Sequence, residues 1–362
     1  MSFVRRLLLQ GWFAGAALLT PENSGNSFFD RQPAAGDMGT LSPHGRMGAA
    51  VNRFIGSHDR GVPYIPVLTV IDEHAGYSRI PCNWSGVSWG IFSQNAEANE
   101  TAHLDASVPA DILVHLFEQQ IYPSANRGPE PEAAQLRPTP FGELIDVGLS
   151  DTPAQVLAAY KVILLAGGDI DFGRISAEGT TLSDQLEQAL SLSPGLKLLL
   201  QPYHVAALEA LGGFVALNAT GRVEILTGQG VAITDERLGQ LRDELFPFRL
   251  TSNVSVQWQV NRQDGGGWVV TVINNEGVFK TPNTTETYNY TKTSAVELVP
   301  RFHFAQGVWD WGLDADKQLR GPGPAGTPVH TVLPPGSTTF LQFKSDDTQT
   351  VASGVQSDDT LR

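Results

Sequence analysis

The stretch Ile65-Pro66-Val67-Leu68-Thr69-Val70-Ile71 decides the fold. A short, nearly unbroken apolar run closed by polar Asp72, Glu73 and His74 fits a strand buried on both faces, the kind a parallel sheet uses. The same alternation recurs downstream. Residues 141–147 read as a strand and 153–159 as a short helix. Residues 161–166 read as a strand closed by Gly167 and Gly168. A helix is predicted over 182–190, a strand over 196–200, and a helix over 205–211 ended by Gly212 and Gly213. Between the first two strands lie a loop with Trp84 and Trp89 (78–103), an amphipathic helix (110–121) and a Pro-rich excursion (123–140). Strands alternating with helices predict a parallel sheet covered by helices on both faces.

Upstream, Ser42 is placed as an N-cap and Pro43 at the first helical position. Met47, Ala50, Val51, Phe54 and Ile55 then share one face of a helix over 42–56, and Gly61 and Pro63 end that unit. The extreme N-terminus has two readings. Arg5 and Arg6 followed by apolar residues 7–19 resemble a signal peptide. Gln10, Gly11 and Gly15 interrupt the run and favour a buried helix over 4–13 feeding a strand over 16–20. Downstream of about residue 248 the texture changes. Residues 254–260 and 268–274 alternate apolar and polar around the turn Asp264-Gly265-Gly266-Gly267. Further strands are expected at 295–298, 330–333 and 338–343, as in a β-sandwich. The polar stretch 344–362, without aromatics, reads as a disordered tail. The fold class expected is therefore α/β plus all-β, with boundaries at 1–60, 61–247, 248–343 and 344–362.

Composition narrows the functions. A formal charge of −14 with no Lys/Arg cluster excludes a nucleic-acid footprint. No segment is long and apolar enough to span a membrane. The single cysteine, Cys82, excludes an intrachain disulfide and Cys-rich zinc frameworks. Asn83, Asn99, Asn218, Asn253, Asn283 and Asn289 each head an Asn-X-Ser/Thr sequon. That exceeds the roughly two expected by chance and points to a secreted, glycosylated protein. The alternative is that Asn and Thr are enriched by β-turns and strands.

Thr20-Pro21-Glu22-Asn23-Ser24-Gly25 is the sharpest motif. A carboxylate directly after a short apolar strand sits where barrel enzymes project catalytic groups. Such a glutamate can act as the nucleophile of a retaining glycosidase opposite a second carboxyl acid. The plainer reading is a solvated loop carboxylate. In Asp72-Glu73-His74, adjacent residues at one strand end point apart, so no metal site is expected.

A resemblance enters on three stretches: Arg5-Arg6 through Gly15-Ala16 and Glu22; Leu41-Ser42-Pro43-His44-Gly45-Arg46; and Arg60-Gly61-Val62-Pro63-Tyr64-Ile65-Pro66. Residues 5–75 resemble the end of the catalytic barrel of family 42, β-galactosidase-type glycoside hydrolases. The order of domains is similar too: barrel, flavodoxin-like domain related to class I glutamine amidotransferases and used for oligomerisation, then β-sandwich. The resemblance implies that 1–60 is a remnant of a (β/α) barrel and that Glu22 is the nucleophile equivalent. It also implies that Asn23, His74 and Trp84 approach the sugar, with no cofactor. In such enzymes the general acid lies on an earlier strand in an Asn-Glu pair, so the chain is expected to be catalytically incompetent alone. The partners implied are carbohydrate when a barrel is complete, and a second copy or a complementary barrel fragment. As a remnant, residues 1–60 are expected to leave Leu7, Leu8, Leu9, Trp12 and Phe13 uncovered. Amidotransferase chemistry is not expected: Cys82 follows Pro81 in a loop, and the strand at 161–166 ends in Gly-Gly-Asp without a nucleophile. Gly167-Gly168 matches no phosphate-binding loop pattern.

Overall fold

The computed structural model describes residues 8–9, 11–16, 39–72, 144–165, 170–176, 179–226, 233–254, 256–274, 276–279, 287–312 and 315–344. It divides into two units, one of Met1–Tyr64 with Pro247–Arg362 and one of Ile65–Phe246. In the first, residues 8–9 and 11–13 are helical. Gly15, at φ +109°, stops this helix. Its N–H donates to the Trp12 carbonyl (3.1 Å) and the Ala16 N–H to the Gly11 carbonyl (3.0 Å). That pair of bonds defines a Schellman cap, and its left-handed position favours glycine. Of the strand expected over 16–20, only Ala16 lies within the described residues, and it is not in a strand.

Helix α1 runs Pro43–Ser57, with Ser42 Oγ accepting from the Gly45 N–H at 3.1 Å. Its buried face carries Val51 and Phe54. Beyond it, Arg60 reaches back to the end of the first helix. Its guanidinium donates to the carbonyls of Trp12, Ala16 (2.9 Å) and Gly15 (3.0 Å), and lies over the Trp12 ring. Strand β1, Val62–Pro63, then pairs antiparallel with Arg262 and Asn261.

The Ile65–Phe246 unit contains strands β2 (Val67–Ile71), β3 (Ile145–Leu149), β4 (Val162–Leu165), β5 (Lys197–Leu200) and β6 (Val223–Ile225). Its helices are α2 (Ala154–Leu157), α3 (Leu182–Leu192), α4 (Pro202–Ala210), α5 (Phe214–Ala219) and α6 (Asp235–Leu245). All five strands are parallel, in the order β3-β2-β4-β5-β6. Leu68, Val70, Ile163, Leu165, Leu198 and Leu200 on one face meet Leu157, Leu186, Leu190 and Leu208 of the helices. A capping box closes α3. Thr181 Oγ1 accepts from the Asp184 N–H (3.1 Å), while the Asp184 carboxylate accepts from the Thr181 N–H (3.0 Å). Of the strand expected at 141–147, residues 141–143 lie outside the described residues, and the strand runs Ile145–Leu149; α4 starts at Pro202 rather than 205. Helix α5, strand β6 and the highly charged α6 were not legible.

Strands β7 (Phe248–Ser252), β8 (Gln257–Arg262), β9 (Trp268–Ile273), β10 (Val278–Phe279), β11 (Thr287–Tyr288), β12 (Ser294–Pro300), β13 (Val308–Asp310), β14 (Lys317–Arg320), β15 (Val329–Leu333) and β16 (Thr338–Phe343) return to the first unit. They form a six-stranded sheet β1-β8-β9-β16-β13-β14, a three-stranded sheet β15-β12-β7 and the hairpin β10-β11, all antiparallel. Phe248, Trp268, Phe302 and Phe343 interlock between the two larger sheets, with ring centroids 4.8 to 6.3 Å apart. On the other face of the six-stranded sheet, Val269, Trp311 and Phe340 pack against Leu9, Trp12, Phe13, Val51 and Phe54.

This second contact corrects the expectation of an uncovered N-terminal patch. Leu9, Trp12 and Phe13 are buried and Leu8 is half-buried, while Leu7 lies outside the described residues. The segment before residue 64 is not a body of its own. The stretch 344–362, apart from Lys344, also lies outside the described residues.

Candidate functional site

In parallel sheets, ligands bind outside the carboxyl ends of strands, where the strand order reverses. Here that point lies between β2 and β4: the chain steps from β2 to β3 on one side, then returns to β4 on the other. The apolar run of β2 delivers Asp72 to this edge, 2% exposed. Its Oδ1 accepts from Arg174 Nη1 at 2.7 Å and its Oδ2 from the Asp171 N–H at 3.1 Å. Arg174 Nε also lies 3.7 Å from Asp171 Oδ2, and Asp171 Oδ1 accepts from the Gly173 N–H at 3.0 Å. The arrangement pins residues 171–174 to the end of β2. Both oxygens of this buried carboxylate are engaged, one of them by a guanidinium.

One strand further along, His204 is 1% exposed at the start of α4. The Gln201 N–H donates to its Nδ1 at 3.1 Å, so that nitrogen is an acceptor and the ring proton sits on Nε2. Phe172 meets it edge-on at 5.8 Å and Tyr203 at 4.4 Å. The sequence signal was Gln201-Pro202-Tyr203-His204 directly after a buried strand, a helix start whose third residue folds back onto the cap.

In the other unit, Ser57 Oγ lies 3.0 Å from His58 Nδ1, and His58 Nε2 lies 2.9 Å from Asp316 Oδ1. The order imitates a Ser-His-Asp relay. It cannot work as one. His58 Nδ1 is also 2.8 Å from the Phe54 carbonyl, so that carbonyl competes with Ser57 for the one ring nitrogen a relay would need free. Ser57 Oγ itself donates to the same carbonyl at 3.0 Å. Held between Phe54 (4.3 Å) and Trp311 (4.6 Å) at tilts of 35° and 36°, the ring closes the end of α1. Asp310 on β13 has its carboxyl pushed up by burial, opposed first by the hydroxyl of Thr339, which donates at 2.6 Å. This too is a bond within the sheet.

Glu22, Asn23, His74 and Trp84, and the sequon residues Asn83, Asn99 and Asn283, lie outside the described residues, as does Cys82. Asn218 is exposed near the end of α5. Asn253 is exposed after β7, with Oδ1 accepting from the Ala295 N–H at 2.6 Å. Asn289 is half-buried after β11. Among the described residues no three His, Cys, Asp or Glu gather to hold a metal, and no helix is long and apolar enough to cross a membrane.

No protein-family model and no curated protein matches this chain. Among solved structures it has weak similarity to an apo exo-carrageenase of glycoside hydrolase family 42 from Bacteroides ovatus, with a TM-score of 0.30 and 10% identity, over 57% of this chain and 25% of that one. A Paenibacillus polymyxa xyloglucanase of glycoside hydrolase family 44 gives a TM-score of 0.13 and 10% identity, over 45% of this chain and 35% of that one. The chain thus spans about a quarter and about a third of the lengths of these two structures. Likeness at this level carries no argument about activity.

Proposed function

We propose that the chain is the C-terminal portion of a β-galactosidase-type glycoside hydrolase, not catalytically competent by itself. The observation that supports it is the succession along the chain. A Ser-Pro-capped helix and the Arg60–Pro66 stretch are followed by a parallel sheet of order β3-β2-β4-β5-β6, then by antiparallel sheets. That strand order is the flavodoxin-like one, and the succession is the one the resembled enzymes use. In this reading Glu22 is the nucleophile equivalent, Asn23, His74 and Trp84 face the sugar, and the general acid comes from other barrel strands. The two-carboxylate mechanism cannot run from one side of the sugar. Asp72 with Arg174 and His204 with Gln201 then serve to hold the carboxyl edge of the parallel sheet rather than to catalyse.

Two measurements test this. Nitrophenyl β-galactoside hydrolysis by the purified chain should stay at background, and robust turnover lost in Glu22→Gln would overturn the claim of incompetence. The DNA upstream of Met1 should encode an in-frame barrel containing an Asn-Glu pair; an unrelated upstream region would overturn the lineage.

A second reading, an oligomerisation module without catalysis, is favoured by one feature. Edge strand β3 carries Val147 and Leu149 exposed, with no proline or lysine to guard it. Sedimentation of the chain as a clean monomer at micromolar concentration would remove that reading.

A further inference from the structure

Helix α5 puts an exposed sequon and an exposed apolar side chain on one face. Leu217 is buried and Phe214 packs against the same core, so these two define the inner side. Val215, 75% exposed, and Asn218 look outward together. Three residues apart on a helix, their Cβ atoms lie about 5–6 Å from one another. Leu211, in the turn that leads into α5, is 55% exposed. The end of the helix is firmly closed. The Thr220 hydroxyl donates to the Leu217 carbonyl at 2.7 Å and accepts from the Arg222 N–H at 3.2 Å. The Gly221 N–H donates to the Asn218 carbonyl at 3.0 Å. No described residue hydrogen-bonds to the Asn218 side chain. In the other two described sequons the side-chain oxygen is taken, that of Asn253 by the Ala295 N–H and that of Asn289 by Thr291.

We propose that Asn218 carries an N-linked glycan and that the first sugars of this glycan cover Val215, an inference independent of the function proposed above. Transfer forms a bond from Asn218 Nδ2 to the anomeric carbon of the donor sugar. The bond from that carbon to the diphosphate of a lipid-linked donor breaks, and the amide proton leaves with the diphosphate product. The hydroxyl that completes the sequon is engaged twice in the folded chain, so transfer precedes closure of α5. A sugar ring offers an apolar C–H face to an aliphatic side chain, and its tether keeps it over its own helix. A protein partner needs roughly 800 Å² of surface on each side, and Val215 with Leu211 supplies only a fraction of that.

The test produces the full chain twice: in insect cells behind a cleavable secretory leader, and in bacteria, which add no such glycan. Supplying the leader makes the outcome independent of where the chain natively resides. Peptide mapping of the insect-cell protein with peptide-N-glycosidase F should find Asn218 modified. Asn218→Gln should lower the melting temperature of the insect-cell protein by roughly 1–4 °C and raise its binding of an apolar-surface dye. In the bacterial protein the same substitution should change neither. Val215→Ser should erase the advantage that the insect-cell protein holds over the bacterial one. An unmodified Asn218 overturns the proposal. So does a modified Asn218 whose replacement by Gln shifts melting and dye binding equally in both hosts, or in neither.

Discussion

Arg60 is the residue on which the docking of the N-terminal helix turns, and removing it gives the sharpest test of the β-rich unit. Its guanidinium donates to three carbonyls at the end of that helix, those of Trp12, Gly15 and Ala16, and covers the Trp12 ring at 5.6 Å. Burial lowers its pKa while Asp59 opposes the shift, so the group is only partly desolvated. Each bond is therefore assigned the ordinary net value of about 1 kcal/mol rather than that of a buried charged pair. The ring contact adds about 0.5 kcal/mol. Arg60→Ala should cost about 3.5 kcal/mol. For a unit of this size that lowers its melting temperature by roughly 7–14 °C. Arg60→Lys keeps the charge but not the fork, and should lose more than half as much. Calorimetry of the wild type and both variants, with near-UV circular dichroism to identify the transition, measures this. A shift of less than about 1 °C in both variants would show that the helix end is held by packing alone, and would refute the reasoning.

Gly61→Ala should be at least as disruptive locally. At φ +68° any side chain is strained, and its Cβ would run into the Arg262 carbonyl; loss of amide-exchange protection at Val62 and Arg262 checks this. Thr181→Ala removes one half of the α3 capping box and should cost about 1 kcal/mol in urea unfolding of the parallel-sheet unit. Asp184, held low by the backbone N–H and then the hydroxyl of Thr181, contributes stability above the unfolded carboxylate pKa. That contribution disappears as pH falls through its lower folded value. The gap between wild type and Asp184→Asn should therefore close on acidification from pH 5, and a constant gap down to pH 2 would exclude the box as its source.

Much of the architecture was legible because local signals agreed. Ser42 and Pro43 cap a helix, apolar runs mark buried parallel strands, and Asp264–Gly267 turns β8 into β9. The reading failed where polar residues are buried by a layer distant in sequence. Gln259, Asn261, Gln263 and Thr271 alternate with apolar residues as though facing water, yet all are buried. Asn261 Nδ2 instead donates to the Phe13 carbonyl at 2.8 Å, and Gln263 Nε2 to the Asp59 carbonyl. A carbonyl left over at a helix end needs a donor, and for Phe13 it came from a strand 248 residues away, a pairing no local pattern announces. For the site, the sequence placed Asp72 at a strand end, but its partner Arg174 lies 102 residues on.

The two-part make-up of the β-rich unit also sets a timetable for synthesis. Leu9, Trp12 and Phe13 leave the ribosome about 330 residues ahead of the Phe340 that covers them. At 5–20 residues per second, roughly 15–65 s separate the two events. The parallel-sheet unit, whose contacts lie within Ile65–Phe246, is completed in that interval. Throughout that interval Leu9, Trp12 and Phe13 wait without the Phe340 cover while the other unit is completed, a window in which an exposed apolar cluster favours aggregation.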